Sequence, residues 1–211
     1  KAIQKIKLGF PECKIIVGNV DCAEATLMLI EAGADGIKVG IGPGSACKTR
    51  TETGIGIPQL TAIAECVAVA NNFNVPIMAD GGITEGSELA KALVAGAHTV
   101  MLGGLFAGTN ETPGEVFSDS GELFKVYRGQ AGLDSQLERL GTGSLNRIRA
   151  PEGITRKVPF KGESATGVIE RLLENLRSAM SYTNSRTIAD LQTCHFRRQS
   201  QAGYLEGKPR K

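Results

Sequence analysis

The chain has 211 residues, 41% of them hydrophobic, and 24 lysines and arginines stand against 22 acidic residues. No apolar run approaches the ~18 residues of a membrane span and no signal peptide is visible, so the composition describes a soluble globular chain with no membrane partner. The basic excess lies in 186–211, with six basic and two acidic side chains; no basic stripe with interleaved aromatics crosses the body, which argues against nucleic acid as a main ligand.

The chain begins at Lys1 and reaches an apolar run by Lys14, an abruptness expected of a fragment. Lys14 to Val20 predicts the first strand, and Ala23 to Ala32 a crossover helix that Asp21 caps and Gly33 closes in a left-handed conformation. Gly36 to Gly40 predicts the second strand, and Pro58 in a first turn starts a helix reaching Asn72. Val75 to Ala79 is the third strand, Ser87 to Ala95 a helix stopping at Gly96, and Thr99 to Leu102 the fourth strand. Short strands apolar on both faces, alternating with helices, predict an α/β fold with a parallel sheet.

Gly18, Ala32-Gly33-Ala34 and Gly40 recur as Gly81, Ala95-Gly96-Ala97 and Gly103, each displaced by 63 positions. The repeat points to a TIM-type (β/α)8 barrel, of which four strands are the second half, since a whole barrel takes about 250 residues. That half spans 1–107. From Gly108 the sequence turns polar and glycine-rich, and Tyr127 to Pro159 lacks an apolar period, so 108–162 is expected to be a flap and active-site segment. The remainder, 163–211, holds a helix from Ala165 to Met180, with Val168, Leu172, Leu173, Leu176 and Met180 on its packing face, and a basic tail.

The five cysteines form no CxxC pair, which predicts reduced thiols in the cytoplasm, and His98 and His195 are too few for a zinc site. Cys13, Cys22, Cys66 and Cys194 read as buried structural residues. Cys47 differs, because it stands in GIGPGSACKTRTETGIG (Gly40 to Gly56), directly after the second strand. Glycines there let backbone groups approach a ligand, and Lys48 and Arg50 beside the thiol favour its ionisation.

GIGPGSACKTR, GIPQLTAI, ADGGI, AGAHTVMLGG, AGTNETPGE, VYRG and PEG follow one another in this order. With those motifs the chain resembles the IMP dehydrogenase and GMP reductase family, over essentially its whole length. The resemblance implies that Cys47 attacks C2 of a purine nucleoside monophosphate (IMP or GMP) while hydride passes to or from NAD or NADP, and that Thr49 manages a proton or water. It implies phosphate binding by Ser45, Gly81, Gly82, Gly103, Gly104 and Tyr127, ribose binding by Asp80, and base contacts from Gly129, Gln130, Ala131 and Glu152. Potassium would sit on the carbonyls of Gly42, Gly44 and Cys47, with Glu206 of a neighbouring subunit in a homotetramer.

Two departures divide the activities within that family. Asn146-Arg147-Ile148 keeps the flap arginine that activates water in IMP dehydrogenase but lacks its tyrosine. Gly132-Leu133-Asp134 lacks the glutamate that partners the threonine in GMP reductase. Arg147 favours the dehydrogenase. A flavin-dependent barrel enzyme and a non-catalytic nucleotide-binding or assembly protein are the alternatives from other classes.

Overall fold

A computed structural model describes residues 1–141 and 150–209. Four strands, β1 (Ile16–Val20), β2 (Gly36–Val39), β3 (Ile77–Asp80) and β4 (Thr99–Met101), pair in parallel in the order β1-β2-β3-β4. Helices α2 (Ala23–Glu31), α4 (Gln59–Ala70) and α5 (Gly86–Val94) cross between them, and a short helix, α3 (Thr49–Thr53), follows the loop after β2. The α/β reading with a parallel sheet holds.

Boundaries differ from expectation for local reasons. β3 starts at Ile77 because Pro76 has no N–H to donate to the ladder. Asp21 does not cap α2: Cys22 occupies the cap position without a side-chain bond, leaving Asp21 one residue too early. Pro58 precedes the first turn of α4, and a 3₁₀ turn, Asn71–Phe73, replaces that helix's last predicted turn.

The 63-residue repeat holds at the helix stops. Gly33 donates to the Ile30 carbonyl and Ala34 to Leu29; Gly96 donates to Leu93 and Ala97 to Ala92. Both glycines have positive φ, 100° and 101°. It holds also for β2 and β4, which Gly40 and Gly103 follow, and fails for β1 and β3, since Gly18 lies inside β1 and Gly81 follows β3.

β2 and β3 bury Ile37, Val39, Ile77 and Ala79 against Ile63, Cys66, Leu89 and Leu93 of α4 and α5. The edge strands are not apolar-buried on both faces as expected: Ile16 of β1 and Met101 of β4 are exposed, because each has only one neighbouring strand among the described residues. Helix α7 (Ala165–Tyr182), capped by Ser164, packs on α5 through Val168, Leu172 and Leu176. Leu173 is exposed rather than packed, since it lies about 100° around the helix from Leu172.

Two regions escaped the pattern. Helix α1 (Ala2–Gly9) buries none of its residues and has no capping side chain. It is tied down by Lys7, which pairs with Asp35 and donates to the Cys13 carbonyl at 3.0 Å. Asp35 also accepts the Ile15 N–H at 2.7 Å. The Lys7 ammonium, then the Ile15 amide, hold the Asp35 carboxyl at about 2, against an ordinary 3.8.

The second region is the supposed flap. It contains an antiparallel sheet of β5 (Phe117–Asp119), β6 (Glu122–Arg128) and β7 (Thr155–Pro159), with helix α6 (Leu133–Leu140) between the last two. Lys125 of β6 is buried and donates to the carbonyls of Thr109 (2.8 Å), Asn110 (3.3 Å) and Thr112 (2.6 Å), closing the loop after β4 against this sheet. Helices α8 (Ile188–Leu191) and α9 (Gln201–Glu206) end the chain. No helix among the described residues is long and apolar enough to cross a membrane.

Candidate active site

The loop after β2 holds Cys47, the expected nucleophile. Gly40 has φ 139°, and a Cβ there would strike the Asp80 carbonyl at the end of β3. The Gln59 amide joins the two strand ends by donating to Val39 (2.9 Å) and Asp80 (3.3 Å) carbonyls. Arg50 does not face the thiol: its guanidinium donates to the carbonyls of Ile41 (2.8 Å) and Ile57, fixing the loop's two ends. Lys48 is turned toward Glu52, 3.8 Å away. The two cations expected to favour the thiolate are thus engaged elsewhere.

The loop's far side is stitched to the segment entering β7. Lys48 N–H donates to the Glu152 carbonyl (2.6 Å), Ile154 N–H to Ala46 (3.0 Å), and Gly129 N–H to Ile154 (2.9 Å). Cys47 and Gly153 form an antiparallel bridge. Close backbone approach requires glycine here, since a Cβ on Gly153 would lie 2.5 Å from the Gly132 nitrogen.

This stitching brings three side chains into line. The exposed Cys47 Sγ lies 3.1 Å from Thr49 Oγ1, and Thr49 Oγ1 donates to Glu152 Oε2 at 2.6 Å. Thr49 and Glu152 are 103 residues apart, and sequence reading assigned each a role without connecting them. Asp134, where a reductase-type glutamate was sought, instead accepts from Thr155 at 2.5 Å.

A cleft of about 420 Å³ opens beside the thiol, lined by Gly42, Gly44, Cys47, Thr49, Asp80, Gly81, Tyr127, Gly129, Gln130, Ala131 and Glu152, and also by Asn19. Asn19 and Lys38 were not picked out from sequence. Lys38 Nζ donates to Asp80 Oδ2 at 2.5 Å and Asn19 Nδ2 to the same oxygen at 2.9 Å, while Oδ1 accepts nothing among the described residues. The available signal was a lysine inside the otherwise apolar strand GIKVG.

Beside this cleft, Gly103 and Gly104 follow β4. A Cβ on Gly103 would lie 2.8 Å from the Tyr127 hydroxyl, and one on Gly104 2.9 Å from Ser45 Oγ. The N–H groups of Gly82, Gly103 and Gly104 donate to nothing among the described residues, whereas that of Gly81 is taken by the Met101 carbonyl at 3.2 Å. Gly81 therefore shapes the cleft wall rather than offering its amide.

The carbonyls of Gly42 and Cys47 accept no hydrogen bond among the described residues, and that of Gly44 accepts the Cys47 N–H at 3.0 Å. Glu206 ends α9, exposed, and is not among the residues lining the cleft. Arg147 lies outside the described residues. Of the remaining cysteines Cys66 is buried, and burial pushes its thiol pKa up; Cys22 and Cys194 are half-buried, and Cys13, expected inside, is exposed on the short link after α1.

A family model described as the IMP dehydrogenase / GMP reductase domain matches residues 1–210. The chain is 47% identical to an inosine-5'-monophosphate dehydrogenase of Aquifex aeolicus, covering 98% of this chain and 43% of that protein. With the enzymes of that name from Bacillus subtilis and Nitrosopumilus maritimus the identities are 45% and 40%, over 98% of this chain and 43% and 45% of those proteins. The chain thus spans less than half the length of these curated relatives. By the family match and by the cysteine loop it presents, this chain belongs to the IMP dehydrogenase / GMP reductase family.

Proposed function

We propose that the protein is an NAD-dependent IMP dehydrogenase that oxidises C2 of the purine through a covalent adduct on Cys47. The observation carrying this reading is the unbroken line Cys47 Sγ, Thr49 Oγ1, Glu152 Oε2, with steps of 3.1 and 2.6 Å. This line, along one cleft, supports Cys47 as nucleophile, Thr49 as hydroxyl relay and Glu152 as carboxylate proton acceptor.

In the first half-reaction Cys47 loses its thiol proton to solvent, the thiolate Sγ bonds to C2 of IMP, and C2 gives up its hydrogen with the bonding pair. NAD, when bound, would accept that pair, and the exposure of Cys47 leaves its sulfur open to substrate and cofactor. In the second half-reaction a water adds to C2, Thr49 takes its proton and passes its own to Glu152, and the C–S bond breaks. XMP leaves, sulfur departs as the thiolate, and the proton held by Glu152 returns through Thr49 to restore the Cys47 thiol. Arg147 is proposed as a further base for the water.

Asp80 Oδ1 accepts from the ribose hydroxyls, while Lys38 and Asn19 fix the carboxylate through Oδ2. The hydroxyls of Ser45 and Tyr127 and the free amides of Gly82, Gly103 and Gly104 take the phosphate, beside Gly81. Gly129, Gln130 and Ala131 meet the base. Two uncommitted carbonyls, Gly42 and Cys47, with Gly44, fit a hard monovalent cation such as potassium, and a partner subunit's C-terminal segment carrying Glu206 would complete its shell.

The wider assembly belongs to the same proposal: a half-barrel over 1–107 whose β1 and β4 edges meet further strands, the segment 108–162 closing the site, a terminal region 163–211, and a cytoplasmic homotetramer. Edges of the parallel sheet with no partner among the described residues support closure by additional strands. GMP reductase using NADPH is the second reading, favoured by one observation: Thr49 does pair with a glutamate, although from an unexpected place.

An absorbance assay on the intact protein separates these. Growth at 340 nm with IMP and NAD supports the dehydrogenase, and decay with GMP and NADPH the reductase. No change in either leaves a non-catalytic nucleotide-binding protein and removes both enzyme readings.

A further inference from the structure

We infer that Arg156 is a specificity-determining residue that binds the phosphate of the nucleotide, and that it makes this site selective for a dianionic phosphate monoester over the uncharged nucleoside. The inference rests on the phosphate assignment made above, and it adds a residue which the sequence motifs did not mark.

Strand pairing sets the position. In the β6–β7 ladder Tyr127 stands directly opposite Arg156, so their side chains share one face of the sheet. The Arg156 guanidinium carbon lies 5.7 Å from the Tyr127 ring centre, and Nη2 donates to Ser45 Oγ at 3.2 Å. Tyr127 and Ser45 are the two hydroxyls that approach Gly103 and Gly104. Three chain segments therefore bring two hydroxyls, a guanidinium and unengaged glycine amides to one spot.

Charge makes the arginine matter. Ser45, Gly81, Gly82, Gly103, Gly104 and Tyr127 are all uncharged, and among the described residues Arg156 has no carboxylate partner. A phosphate monoester carries nearly two negative charges at neutral pH, and a guanidinium binds it through charge-assisted, planar hydrogen bonds. Replacing the single neutral bond to Ser45 with phosphate contacts gives Arg156 an interaction that inosine cannot offer. Its neighbour Lys157 supplies an internal control, since alternation turns it to the opposite face, where it pairs with Asp119.

The test is binding of IMP and of inosine to the intact protein by calorimetry, for wild type, Arg156→Ala, Arg156→Lys and Lys157→Ala. Arg156→Ala is expected to weaken IMP binding by about 10- to 100-fold, the loss of one charged phosphate contact. Inosine binding should change less than about twofold, Arg156→Lys should recover part of the IMP affinity, and Lys157→Ala should match wild type. Equal losses for IMP and inosine would make Arg156 a support for Tyr127 and Ser45 and overturn the inference, as would unchanged IMP affinity. If wild type fails to bind IMP, the functional reading falls, and ribose 5-phosphate then decides on its own. Binding that Arg156→Ala abolishes sustains the phosphate contact; binding that survives the substitution, or no binding by wild type, ends it.

Discussion

In the parallel sheet, β2 and β3 hold Ile37, Val39, Ile77 and Ala79 at 1% exposure or less, whereas in the antiparallel sheet Val158 and the charged Lys125 are the only buried residues. The first region is a packed scaffold that presents Cys47, the proposed nucleophile, on a loop braced by Arg50 and Gln59. The second is held by backbone pairing, glycine contacts and one buried ammonium. Cys47 and Thr49 come from the first, Glu152, Tyr127 and Arg156 from the second, so the site exists only while the two stay stitched together. A deeply packed element opens at a high free-energy cost, and a one-faced sheet at a lower one, which places any movement needed for substrate entry in the antiparallel region.

The largest expected effect removes the scaffold's contribution. Cys47→Ser should lower turnover by at least about a thousandfold, because an alcohol does not replace a thiolate in forming the adduct. Cys47 is exposed, so the melting temperature should be unchanged. Turnover within tenfold of wild type would show that the sulfur is not the nucleophile.

Removing the antiparallel region's contribution should be milder. Glu152→Gln keeps the shape but cannot take a proton, and a loss of about 10²-fold is expected from a missing proton acceptor. The loss should fall on the water step: rapid-mixing kinetics should reveal a burst of 340 nm absorbance followed by slow turnover. Thr49→Ala in the same background should add little, because the two groups act as one line. Full additivity would separate them.

The seam itself is tested by Gly153→Ala. A methyl group there meets the Gly132 backbone at 2.5 Å, and overpacking of this kind costs about 1–3 kcal/mol. Chemical denaturation should register that loss, and the affinity for IMP should fall with it. Stability and affinity both at wild-type values would mean that the two regions are not fastened at this point.

How legible each region was follows from the same difference. GIKVG and VPIMA announce buried strands because their partners lie on both faces, and the Ala-Gly-Ala stops announce helix ends because positive φ favours glycine. In β6, ELFKVYR mixes charges with apolar residues because only one face is covered, and its partner TRKVP lies about thirty residues later, beyond any local pattern. The site shows the same division. Cys47, Asp80 and the glycines could be read from the strand ends, whereas Asn19 and Lys38 reach Asp80, and Arg156 reaches Tyr127 and Ser45, through pairings across the sheets. The link from Thr49 to Glu152 depends on the bridge between Cys47 and Gly153, which no residue type announces.

The smallest effect concerns the scaffold's edge. Asp35 receives Lys7 of α1 and the Ile15 amide, and its carboxyl titrates at about 2 when folded against 3.8 ordinarily. A group whose folded value is depressed stabilises the fold above its unfolded value and loses that contribution as pH falls through the folded one. The stabilisation from Asp35 is therefore complete above about pH 4 and declines between about pH 4 and 2. Over that window amide exchange in 2–9 should quicken first, since α1 buries nothing and is tied mainly through Lys7. Asp35→Asn should bring the same exchange at neutral pH and flatten its acid dependence, leaving the affinity for IMP as it was. Protection of α1 that survives the substitution would show that the helix is held by packing after all, and would extend the scaffold to the chain's first residues.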